Sequence, residues 1–161
     1  MLNTQLKPLR FENCAPRFIA GIQQIYTEVD DIPLQWQKFV PQIPNIPERI
    51  GKFTAYGVVV CMKDQGFGYL SGVEVSDISH LPKEFTYIQI PALRYAVFAH
   101  EEHVSKLNET VTAIMREWLP ESDYEPARQG DPMIDILERY GDDFDPQTGM
   151  GGMEIWVPIK A

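Results

Sequence analysis

One carboxylate in this chain sits where a carboxylate is costly. In Met133-Ile134-Asp135-Ile136-Leu137-Glu138-Arg139-Tyr140, strand alternation puts Ile134, Ile136, Glu138 and Tyr140 on one face and Met133, Asp135, Leu137 and Arg139 on the other. Glu138 thus shares a face with two isoleucines and a tyrosine, and an unpaired carboxylate buried there costs several kcal/mol. Such a group is paired with a cation, protonated, or close to water at the strand end. Arg139 is no same-strand partner, because it points away. If the cation comes from outside, the site suits a flat hydrophobic organic cation. The carboxylate neutralises its charge, and each aromatic face attracts it by roughly 0.5–2 kcal/mol. The aromatic supply is three Trp, seven Tyr and eight Phe. Tyr56, Tyr69, Tyr95, Tyr140, Trp36 and Trp156 are the candidate rim, whereas Trp118 completes a helix stripe and reads as core.

Other chemistries find less support. His100-Glu101-Glu102-His103 lacks the H-E-x-x-H spacing of a zinc helix, and the third histidine, His80, falls in a loop, so no metal site is expected. Glu101 and Glu102 read instead as acids complementing a helix N-terminus. There is no G-x-S-x-G, no phosphate loop and no Cys/His pair, and no cofactor is expected. An unpaired carboxylate in an apolar setting has a raised pKa, which suits acid–base work with Tyr56 or Tyr140 as polar partner.

The elements that must position Glu138 follow from the apolar pattern. Arg17–Tyr26 reads as a strand, and Asp30-Asp31-Ile32-Pro33 as a helix start with an acidic cap. Ile32, Trp36, Phe39, Val40 and Ile43 follow at helical spacing, in a helix shortened or kinked by Pro41 and Pro44. Ala55–Met62 and Phe67–Val75 read as strands around an Asp64-Gln65-Gly66 turn. Tyr87–His100 contains a strand interrupted by Pro91. Residues 101–119 read as a helix ended by Pro120, lined by Val104, Leu107, Val111, Ile114, Met115 and Trp118. Met133–Tyr140 and Met153–Ile159 read as the last strands. Strand–helix–strand–strand therefore occurs twice. The expected fold is α+β: duplicated β-α-β-β units about a pseudo-two-fold axis, antiparallel sheets with two main helices, and a cleft between the units. One domain spans 1–161, with halves of about 10–78 and 83–161.

Composition agrees with a globular chain: 161 residues, 44% hydrophobic and 23% charged. The net charge of −9 argues against direct nucleic-acid binding. Residues 1–100 balance nine acids with nine bases, while residues 101–161 carry fourteen acids and five bases. That acidic third is a solvated surface, a field favouring cationic ligands, or both. No apolar stretch approaches the roughly 20 residues of a membrane helix. With no signal peptide in view and two unpatterned cysteines, Cys14 and Cys61, the expected setting is cytoplasmic.

The ordered set of motifs resembles the GyrI-like small-molecule binding domains, which also serve as effector-binding domains of multidrug-responsive transcription regulators. It comprises Trp36 and Phe39, Tyr56-Gly57-Val58, Phe67-Gly68-Tyr69, Gly72-Val73-Glu74-Val75, Ile90-Pro91-Ala92, Tyr95-Ala96-Val97-Phe98, Trp118-Leu119-Pro120, Leu137-Glu138-Arg139-Tyr140 and Glu154–Ile159. It runs from about residue 10 to the C-terminus. The resemblance implies the duplicated fold and assigns Glu138 as the acid that meets a bound cation, with Tyr56, Tyr69, Tyr95 and Tyr140 as weaker carry-overs. Leu137 replaces an aromatic common in the family, which alters pocket shape more than chemistry. The expected function is binding of hydrophobic, cationic small molecules by a stand-alone sensor or sequestering protein, with no room for a DNA-binding module ahead of it. A sensor of this kind acts through a protein partner. Some GyrI-like proteins hydrolyse strained electrophilic natural products with the pocket glutamate, which makes a hydrolase the second expectation. A third is a protein-binding modulator, such as a topoisomerase inhibitor, working through the acidic C-terminal third.

Overall fold

The apolar runs become eight strands and two helical segments in the computed structural model, which describes residues 6–51, 53–61, 66–128, 130 and 133–161. The strands are β1 (Arg10–Cys14), β2 (Arg17–Tyr26), β3 (Ala55–Cys61), β4 (Phe67–Val75), β5 (Thr86–Ile90), β6 (Leu93–His100), β7 (Ile134–Tyr140) and β8 (Met153–Ile159). Helix α1 (Ile32–Phe39) follows β2, and α2 (Leu107–Ala113) follows β6. All strands join one antiparallel sheet in the order β1-β6-β8-β7-β3-β4-β2-β5. Exchanging the first four strands with the last four reverses this order, as a pseudo-two-fold axis between β3 and β7 requires. At that axis Gly57 pairs with Glu138.

Each half's first strand pairs with the other half's second strand. β1 lies on β6, and β5 lies on β2. Pro16 and Pro91, which have no N–H for a ladder, fall in the two short connections that make these crossings. In sheet order β1 and β2 lie six places apart, about 29 Å if the sheet were flat. Only Ala15 and Pro16 join them, a reach of at most about 11 Å. The sheet must therefore curl until its edges approach. Its concave interior holds Val58, Leu70, Tyr95, Leu137 and Trp156, and the helices cover the convex side. The central strands are buried on both faces for this reason.

Several expectations need correction. Arg10–Cys14 forms β1, a strand absent from the expected order, and Pro91 separates two strands rather than interrupting one. Met62, Asp64 and Gln65 lie outside the described residues. The second helical run covers Val104–Glu121 rather than 101–119, opening as 3-10, passing through α2 and widening to a π-turn over Ile114–Trp118. Its cap is His103, whose ring accepts from the Ser105 N–H, so Glu101 and Glu102 precede the helix. Pro120 sits inside the last turn, Leu119–Glu121, where its missing N–H follows the wide π-turn. The six apolar residues read as its inner stripe do pack into the core. In β7 a bulge pairs Val59 with Ile136 but Val60 with Ile134, leaving Asp135 unpaired. Ile134 thereby turns to the concave side with Leu137, away from the face of Glu138.

Candidate functional site

Glu138 stands on β7 beside the pseudo-two-fold axis, facing α1, with 9% of its surface exposed. Its Oε1 accepts two phenolic hydroxyls: Tyr69 from β4 at 2.5 Å and Tyr140 from its own strand at 2.9 Å. The Trp36 indole N–H donates to the Tyr69 hydroxyl at 2.9 Å. Tyr69 already accepts from Trp36, so its own proton is committed to the carboxylate. The Oε2 atom accepts from none of the described residues. The Trp36 ring meets the Tyr140 ring edge-on at 5.2 Å, and Phe144, from the turn after β7, covers Tyr140 at 5.1 Å.

Glycine at 57 is required by this cluster. A Cβ there would overlap both the Tyr69 hydroxyl and Glu138 Oε1. Glycine inside a strand costs about 0.5–1 kcal/mol relative to alanine, and here it opens the space in which acid and phenol meet.

Burial pushes the Glu138 pKa up to about 7, against the downward pull of the two hydroxyls. Burial, and then the Glu138 charge, holds Tyr69 and Tyr140 well above the ordinary phenol range, so both remain donors. No described cation pairs with the carboxylate. Arg139 faces the other way and meets Glu154 at 3.7 Å.

The structure divides the sequence-derived rim in two. Glu138, Tyr69, Tyr140 and Trp36 come together. Tyr56, Tyr95 and Trp156 lie on the concave face, around the guanidinium of Arg17 at 5.4, 5.6 and 5.6 Å from their ring centres. That second cluster is an aromatic cage filled by the chain's own cation. Arg17 is 10% exposed and has Glu74 3.9 Å away. Nothing in the sequence pairs Arg17 with those rings before the sheet curls. The sequence pattern does not mark Gln35 as a site residue, although it stands three residues after Ile32 and four before Phe39, a core-facing position. Its amide reaches the carbonyls of Ile22 and Tyr69 and the Ser71 hydroxyl, and its oxygen accepts from Tyr26.

A groove of about 610 Å³ lies elsewhere, lined by His100, Glu101, Arg139, Asp142, Asp143 and Glu154 among others. Its lining includes no Phe, Tyr or Trp ring and does not include Glu138, so its size does not make it the site. No group of three metal-ligating side chains occurs among the described residues, and no described helix is long and apolar enough to cross a membrane.

An eight-stranded antiparallel sheet with two helices, duplicated about Gly57–Glu138, defines a GyrI-like effector-binding domain. Residues 15–159 match the Cass2 family model, described as integron-associated effector binding protein, and the chain belongs to that family. It is 27% identical over 130 residues to the transcriptional regulator BrlR of Pseudomonas aeruginosa, covering 81% of this chain and 47% of the regulator. The chain thus spans about half the length of that curated relative. In fold it is similar to SAV2435, solved bound to tetraphenylphosphonium, with a TM-score of 0.69 and 20% identity over 94% of this chain and 93% of the other. An integron cassette protein from the mobile metagenome of Vibrio cholerae superposes with a TM-score of 0.60 at 11% identity, covering 96% and 95% of the two chains.

Proposed function

We propose that this protein binds hydrophobic organic cations on the convex face, with the positive charge on Glu138 and aromatic contacts from Trp36, Tyr69 and Tyr140. The observation that carries this reading is a buried carboxylate with two hydroxyls on one oxygen and, among the described residues, no cation beside it. The lipophilic cation held by the structural relative and the regulator relative add support. Such a protein acts as a sensor, passing ligand arrival to a protein partner, or as a sequestering protein.

The test is titration of rhodamine 6G into wild type and Glu138→Gln. Saturable binding weakened tenfold or more in the variant, a difference of about 1.4 kcal/mol, is the expected result. Equal affinity in both proteins would remove Glu138 from the reading.

The near-neutral proton affinity of Glu138 favours one alternative, hydrolysis of strained electrophiles with Glu138 taking a proton from water and a tyrosine hydroxyl as donor. Turnover of a strained epoxide or cyclopropane probe, lost in Glu138→Gln, would establish it.

A further inference from the structure

Helix α1 grips one tyrosine at both ends. The Gln35 amide donates to the main-chain carbonyl of Tyr69 at 3.0 Å, and the next residue, Trp36, donates to its hydroxyl at 2.9 Å. The same amide reaches the Ile22 carbonyl at 2.9 Å and the Ser71 hydroxyl at 3.1 Å, while the Gln35 oxygen accepts from Tyr26 at 2.6 Å. Gln35 is 2% exposed. A buried amide is costly unless its partners are in place, and a methionine or leucine would seal the helix to the sheet without that cost. Phe39 and Ile46 already supply the apolar seal.

We propose that Gln35 is the positioning residue of the Glu138 site, fixing α1 so that Trp36 directs the Tyr69 hydroxyl onto the carboxylate. The inference rests on the reading of Glu138 as the charge that meets a ligand. Hydrogen bonds in series polarise one another, so the indole N–H makes the Tyr69 O–H a stronger donor. Stronger donation favours the ionised carboxylate, the form a cation needs. Among the described residues, the titratable groups facing Glu138 are Tyr69 from β4 and Tyr140 from β7, with Trp36 from α1 and Gly57 from β3 beside them. Gln35 touches none of the carboxylate's atoms and acts through the helix.

The test follows the Glu138 side-chain carboxyl by carbon-13 NMR against pH in ligand-free protein, with Glu138→Gln assigning the signal. Gln35→Met keeps the volume and removes the hydrogen bonds. Its midpoint is expected to rise by about half a pH unit or more, a threefold change in proton affinity. Ile46→Ala, a core substitution on the same side of the sheet, is expected to lower stability and leave the midpoint in place. Rhodamine 6G affinity should fall severalfold in Gln35→Met. A Gln35→Met midpoint equal to wild type, or an equal shift in Ile46→Ala, would overturn the proposal. Should Gln35→Met not fold, Trp36→Phe breaks the next link and must raise the midpoint likewise; no shift there overturns it equally. The midpoint is read without ligand, so absence of cation binding by wild type together with a raised midpoint in Gln35→Met would refute the ligand reading alone.

Discussion

Glu138 contributes to the pH behaviour of the molecule, and the sign of its contribution follows from its environment. Its folded pKa of about 7 lies above the ordinary value of 4.5, so the native state holds the proton more tightly than the unfolded chain. The stability this contributes is complete below about pH 4.5 and is lost as pH rises through about 7. Glu138→Gln mimics the protonated form and should exceed wild type by about 3 kcal/mol at pH 8, with the gain vanishing toward pH 4.5. Urea unfolding at the two pH values measures it, and a pH-independent difference would contradict the assignment. Cation affinity should run the other way, falling about tenfold per unit below pH 7 as a proton occupies the site. Gly57→Ala, which crowds the acid and Tyr69 together, should weaken cation binding at least tenfold in the same titration. The acid was legible in the sequence because a charge interrupted an apolar face. Its neighbours are less so: alternation places Tyr140 on the acid's face, whereas residue type alone marks Tyr69, and Gln35 gives no signal because a neutral amide breaks no pattern.

At the scale of elements, face assignment is what sequence reading lacked. In β3, Ala55-Tyr56-Gly57-Val58-Val59-Val60-Cys61, apolar residues point both ways, so periodicity cannot say which side Tyr56 takes. Only the register does: Gly57 opposes Glu138, which sends Tyr56 to the concave side. The bulge at Asp135 defeats simple alternation for Ile134 in the same way. This geometry separates the two aromatic clusters experimentally. Tyr69→Phe and Tyr140→Phe should weaken rhodamine 6G binding severalfold, whereas Tyr56→Phe, Tyr95→Phe and Trp156→Phe should leave it within about twofold, since these rings enclose Arg17 across the sheet. A large loss in the second set would show that both faces contribute to one site. Arg17→Ala, which empties the cage, should cost about 2–4 kcal/mol of stability, and Arg17→Met should recover most of it by refilling the volume. Chemical denaturation reads both, and an Arg17→Met no better than alanine would mean that the charge itself is needed.

For the whole molecule, the duplicated order of strand, helix and two strands was readable, because helix and strand periods differ and the pattern recurs. The exchange of first strands was not, because β1 is five residues with no strong alternation and its partner β6 lies far along the chain. That exchange makes the halves mutually dependent. The segment before the Ser79–Lys83 loop supplies β1 to β6, and the segment after it supplies β5 to β2. The concave cluster draws Ile19, Val58 and Leu70 from one half and Ile88, Tyr95 and Leu137 from the other, so neither half completes the concave core alone. Glu138 likewise depends on both, accepting from Tyr69 in the first half and Tyr140 in the second. Cutting the chain within that loop should therefore give two fragments that are each unfolded by circular dichroism. Mixed in equal amounts, they should regain strand signal and bind rhodamine 6G with wild-type Glu138 but tenfold more weakly with Glu138→Gln. Folding of either fragment by itself would show that the halves are independent units, and that the exchanged strands join them rather than create them.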